Sequence, residues 1–120
     1  MRRLLVAILA ISFLAFAAEA PIVDAAHRGD ASSIQALIAQ HADVNAPAAD
    51  GDTALHWAAH HDDVATAELL IRAGANVNAA NRYGVKPLSL ACANGSARMV
   101  ELLLKAKADP EATIGEERLL

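Results

Sequence analysis

The sequence predicts an all-α solenoid of stacked helix-turn-helix units, on three observations. A pattern recurs every 33 residues: Gly51-Asp52-Thr53-Ala54-Leu55-His56-Trp57-Ala58-Ala59 returns as Gly84-Val85-Lys86-Pro87-Leu88-Ser89-Leu90-Ala91-Cys92, and Pro21-Ile22-Val23-Asp24-Ala25-Ala26 fits the same register. Self-similarity at that period is the signature of an array whose units bury their cores only against one another. Within a unit the apolar spacing is helical, with Ala67, Leu70 and Ile71 at i, i+3 and i+4. The composition agrees: only 3% of the residues are aromatic, and the 55% hydrophobic fraction is weighted towards alanine. Thin helices in close contact suit it better than a large core around a deep pocket.

The chain has 120 residues, room for one small domain. It opens with a segment of different character. Met1-Arg2-Arg3 precedes an uncharged apolar stretch from Leu4 to Ala18, shorter than the roughly 20 residues of a membrane span. The segment reads as a secretory signal helix, residues 1–17, cut after Ala15-Phe16-Ala17. Ala18-Glu19-Ala20 is the alternative, although Pro21 would then follow the scissile bond. An uncleaved membrane anchor is the other reading. Cleavage removes Arg2 and Arg3 and takes the formal net charge from -4 to -6.

Three units follow, at 21–46, 50–82 and 83–114. Each begins with a short helix rich in small residues, about Ala54 to His61 in the second unit, and continues through a polar turn into a longer one, about Val64 to Arg72. Asp30, Asp63 and Ser96 align just before the second helices, and all three are good N-caps. Thr53 can cap the first helix of the middle unit, and Pro87 suits the first turn of the next. Gly74 stands where a second helix should end in a left-handed residue, and the residues from Asn76 to Gly84 supply the turn chemistry of a projecting hairpin-like loop. Residues 115–120 resemble the opening of a fourth unit that stops before its helix, so a truncated array or a partner covering that edge is expected.

Thr53-Ala54-Leu55-His56-Trp57-Ala58 and Gly74-Ala75-Asn76-Val77-Asn78 resemble the signature hexapeptide and the unit ending of the ankyrin repeat family. The resemblance covers about Pro21 to Ala112. It implies an L-shaped section with hairpin loops at right angles to paired helices, and a concave face. It also implies that His56 is structural, bonding the Thr53 cap and the neighbouring loop backbone. The third unit departs from the pattern with Lys86 and Ser89 in place of Thr and His, which predicts a weaker cap network at a cost of about 1 kcal/mol. His41 and Lys107 replace Gly74, and Asp62 replaces Gly29 and Gly95, so positive φ is expected at all three. The third unit should therefore fray first.

Catalysis finds little support. There is no nucleophile elbow, no glycine-rich phosphate loop and no Cys-x-x-Cys pair. His56 and His60 share a helix face at a spacing that could hold a metal. No Glu follows His56, however, and no third ligand is evident, so a metal-dependent enzyme is disfavoured and no cofactor or metal is expected. Asp50, Asp52, Asp62 and Asp63 read as solvation and caps rather than as a carboxylate pair flanking a cleft. Cys92, the sole cysteine, aligns with Ala59 and is expected to be a buried small apolar residue.

With a net charge of -4 and no basic run beyond the extreme N-terminus, nucleic acid is not an expected ligand. Surface recognition remains. Family resemblance implies that loop tips and the exposed face of each first helix contact the ligand. Carried over, this selects His27 and Arg28 in the first unit, and Ala49, Asp50, Asp52, His60 and His61 in the second. In the third it selects Arg82, Tyr83, Val85, Ala93 and Asn94. Tyr83 with Arg82 is the sharpest pair, because both residue types are enriched at binding hot spots. Three imidazoles near Asp50 and Asp52 raise the further expectation of pH-dependent binding. The expected function is a monomeric, non-catalytic scaffold, secreted or periplasmic, that binds a protein partner. An inhibitor or immunity-like partner of an envelope enzyme, and a fragment of a longer array, are the alternatives.

Overall fold

The computed structural model describes residues 20–111. The signal helix at 1–17 and the fourth-unit opening at 115–120 lie outside the described residues. Six helices run α1 (Pro21–Arg28), α2 (Ala31–Ala39), α3 (Ala54–His60), α4 (Val64–Arg72), α5 (Pro87–Asn94) and α6 (Ala97–Lys105). First helices start at 21, 54 and 87 and second helices at 31, 64 and 97, so the 33-residue register of the sequence is the register of the fold. No strand occurs among the described residues, and no helix there is long and apolar enough to cross a membrane.

The helices form two rows. α1, α3 and α5 pack side by side, α2, α4 and α6 lie behind them, and each first helix packs on its own second helix. The equivalent residues Ala25, Ala58 and Ala91 are buried, as are Ile22, Leu55 and Leu88. Alanine at the first set lets neighbouring backbones approach, and the larger side chains of the second set fill the space between units.

The turns obey local chemistry. Asp30, Asp63 and Ser96 each accept the amide of the third helical residue, at 3.1 Å from Ser33, 3.2 Å from Thr66 and 3.2 Å from Met99. In the first two units the partner reciprocates, since the Ser33 and Thr66 hydroxyls donate to the same carboxylates at 2.6 Å. Met99 has no hydroxyl, so the third unit lacks that second bond. His41, Asp62 and Lys107 all adopt positive φ, at 62°, 57° and 77°, as their alignment with glycines predicts.

Units are also stitched through their loops. The Asn45 amide oxygen accepts the Asn76 backbone N–H at 2.6 Å, and its Nδ2 donates to the Gly74 carbonyl at 3.1 Å. One unit on, Asn78 repeats both bonds with the Asp109 amide and the Lys107 carbonyl. Gly51 is required for a different closeness. Its φ is +87°, and a Cβ there would lie 2.9 Å from the Arg82 nitrogen and 3.0 Å from the Asn81 Cα. The two hairpins therefore touch backbone to backbone, with the Arg82 amide donating to the Asp50 carbonyl at 2.9 Å.

One expectation is corrected. Cys92 is exposed, not buried. Its register equivalents Ala26 and Ala59 are covered by the first helix of the following unit, whereas no later first helix packs on α5 among the described residues. The opposite end behaves alike: Leu70 and Leu103 are fully buried against preceding units, while Leu37 is only half-buried.

Candidate partner-binding face

The cap of α3 sets the geometry of this face. Thr53 Oγ1 accepts the His56 amide at 3.4 Å, and the Thr53 amide donates to His56 Nδ1 at 3.0 Å. Because Nδ1 accepts that N–H, the ring hydrogen sits on Nε2, which donates to the Val85 carbonyl at 2.8 Å. His56 is 1% exposed, so it joins the cap of its own helix to the hairpin of the next unit from within the core. The structural role expected of it holds. α5 has no such device, since Lys86 makes no side-chain cap bond and Pro87 occupies the first turn.

The hairpins that flank this cap are closed by short bonds. The Ala48 amide donates to the Asp52 carbonyl and the Asn81 amide to the Val85 carbonyl, at 2.9 and 3.0 Å. Asn81 Nδ2 donates to Asp52 Oδ1 at 2.8 Å, and the Arg82 guanidinium donates to the Ala49 carbonyl at 2.8 Å. Asp50 accepts the Asp52 amide. Of the tip residues selected from sequence, Asp50, Asp52 and Val85 are half-buried and engaged in holding the loops, Ala49 is exposed, and Arg82 ties one tip to the other. Tyr83 is the large apolar side chain at the tip, 74% exposed.

The first-helix residues divide in the same way. His61 Nε2 meets the His27 carbonyl at 3.1 Å. The equivalent Asn94 donates through Nδ2 to the carbonyls of Ala59 and His60, at 3.1 and 2.8 Å. Both therefore satisfy C-terminal carbonyls of the preceding first helix, groups that lack partners within their own helix. Arg28 occupies this register position in the first unit, where no earlier helix is described, and pairs with Asp24 at 3.1 Å and Asp30 at 3.5 Å. His27, His60 and Ala93 form a second, exposed register row.

Trp57 is the residue that sequence reasoning missed. It lies in register with Asp24 and Leu90, half-buried on the face of the first-helix row. Its indole stacks on His27 across the unit boundary, with centroids 4.0 Å apart, and makes a T-shaped contact with His60 at 5.6 Å. An open cleft of about 780 Å³ begins beside it, lined in part by Pro21, His27, Leu37, Asp50 and Trp57. Half-buried Leu37 forms part of its wall. Reading the register for the largest side chain on the first-helix face, not only for polar residues, would have found Trp57.

Electrostatically, one carboxyl stands out. Hydrogen bonds from the Ser33 hydroxyl and amide, helped by the nearby Arg28 guanidinium, hold the Asp30 carboxyl below its ordinary value, more than offsetting partial desolvation. Among the described residues, no group of three or more His, Cys, Asp or Glu side chains is arranged so that it could hold a metal ion.

Stacked helix pairs in a constant 33-residue register, joined by hairpins and with a Thr-His box capping α3, define a repeat scaffold. The chain belongs to the ankyrin repeat family: the family model described as ankyrin repeats (3 copies) matches residues 22–114. Ankyrin repeats generally mediate protein–protein interaction, and the family is typically non-catalytic. No curated protein matches the chain.

Proposed function

We propose that this protein is a monomeric, non-catalytic recognition scaffold that acts outside the cytoplasm and binds a protein partner through its first-helix row and hairpin tips. One observation carries the reading. The row presents Trp57, His27 and His60, and the hairpin tip presents Tyr83, on a frame whose loops and helix ends are tied between units by Asn45, His56, His61, Arg82 and Asn94. A surface held this way loses little conformational freedom when a partner docks, so more of the contact energy appears as affinity. The charged leader and its apolar stretch support export.

The test is affinity capture from the envelope or secreted fraction with the full chain, processed by its own host, as bait. Wild type is expected to retain a protein partner that a Tyr83→Ala/His60→Ala variant loses, with the helical circular dichroism unchanged. Undiminished retention by the folded variant would overturn the assignment of the face. A reporter active only outside the cytoplasm, fused after Leu120, checks the location, and an inactive fusion would contradict export.

A further inference from the structure

We propose that the ring cluster around Trp57 is a docking ridge for an acidic, carboxylate-bearing segment of the partner protein, and that its grip tightens as the pH falls. The proposal rests on the first-helix row being the recognition face. Four rings converge there from two units. His27 stacks on Trp57 at 4.0 Å, and His61 stacks against Trp57 at 5.6 Å and His27 at 6.1 Å. His60 lies 5.6 Å from Trp57 and 5.3 Å from His61. All three imidazoles are exposed.

Their hydrogen-bonding capacity is largely unspent. His61 Nε2 meets the His27 carbonyl. Among the described residues, no hydrogen bond or ion pair engages the ring nitrogens of His27 and His60 or the Trp57 indole N–H. The ridge therefore offers several N–H donors without acceptors.

Most of the nearby carboxylates already hold a hydrogen-bond or ion-pair partner, while keeping their charge. On α1, Asp24 pairs with Arg28, which also reaches Asp30. On the hairpin, Asp50 accepts the Asp52 amide, and Asp52 accepts Asn81 Nδ2. In the α3–α4 turn, Asp63 spends both oxygens on Thr66, leaving exposed Asp62 beside His61 as the one acidic neighbour with no such bond. From α5 the ridge meets uncharged Ala93 and Asn94.

The complement of this surface is an acceptor with negative charge. A neutral imidazole donates one N–H and an imidazolium two, and the change falls in the range of pH 5 to 8 for this side chain in general. Charge-assisted bonds from nitrogen to carboxylate are shorter and stronger than neutral ones. Imidazolium groups this close repel each other, and a carboxylate set among them relieves that repulsion. Binding and proton uptake are therefore linked, each favouring the other. A glutamate or aspartate segment remains ionised across this range, so the pH dependence arises on this side of the contact.

Trp57 is the chain's only tryptophan, so its fluorescence reports directly on the ridge. The probes are two short synthetic peptides, one alternating glutamate and leucine and one alternating lysine and leucine, titrated into the full chain. The glutamate peptide is expected to shift the Trp57 emission and to bind about tenfold more tightly at about pH 6 than at about pH 8. A His27→Gln/His60→Gln variant, which changes only exposed rings, should bind it weakly and with a flat pH response while keeping its helical signal. No binding of the glutamate peptide, binding that weakens towards acid, or equal binding of the lysine peptide would overturn the proposal. The recognition-face reading is judged separately, by the capture experiment, which uses no peptide.

Discussion

The second and third units have the same three-dimensional plan but are held together differently. In the second, Thr53 and His56 cap α3 reciprocally, and His56 reaches on to the Val85 carbonyl. Asp63 and Thr66 then close α4 with two bonds. In the third, Lys86 gives α5 no side-chain cap, and Ser96 closes α6 with one bond to the Met99 amide. α5 thus takes its place without a side-chain cap, and fewer cap bonds predict a third unit held less firmly than the second. The difference is one of local stability within a constant architecture.

The largest effect should come from His56→Ala. It leaves the Thr53 amide and the Val85 carbonyl without a buried partner and empties a core volume, for a loss of about 3 kcal/mol and a fall in Tm of roughly 15 °C. Chemical denaturation measures this, and a loss below about 0.5 kcal/mol would mean that the box is incidental. Next, the aligned glycines should respond unequally. Gly51→Ala puts a methyl group against the Arg82 and Asn81 backbone and should cost about 2 kcal/mol. Gly84→Ala meets no described atom within 4 Å and should carry only the strain of its positive φ, about 1 kcal/mol. Equal losses at the two would remove the contact argument.

Lys86→Thr sharpens the comparison from the other side. A hydroxyl at this N-cap can accept the Ser89 amide and should stabilise the third unit by about 1 kcal/mol. In the wild type, α6 amides should exchange faster than those of α4, and the variant should narrow that gap. Slower exchange in α6 than in α4 would reverse the comparison.

The smallest effect concerns the first unit. The Asp30 carboxyl is held below its ordinary value, so the contribution is present above the unfolded value near 3.8 and is lost as the pH falls through the lower folded one. Asp30→Asn should flatten the acid limb of the stability curve slightly, and an unchanged limb would contradict the Ser33 bonds as its cause.

The fold was legible because its determinants are local. N-caps at Asp30, Asp63 and Ser96 and left-handed turns at His41, Asp62 and Lys107 each involve residues a few positions apart, and the register repeats them. The face was legible in outline only. Sequence position identifies Arg82, His61 and Asn94 as surface residues but not the carbonyl of the preceding unit that each reaches. For the same reason the stacking of Trp57 on His27, which crosses a unit boundary on the diagonal, was out of view. Cys92 shows the converse error. Its alignment with Ala59 is sound, but burial at that position is supplied by the following unit.

The proposed function stands on recognition of a protein through the first-helix row and the hairpin tips. Amide hydrogen exchange on the chain, with and without its captured partner, tests it most directly. Protection confined to α1, α3, α5 and the hairpins at 48–53 and 81–85 is the predicted result. Protection concentrated on the outer helices α2, α4 and α6 would contradict it.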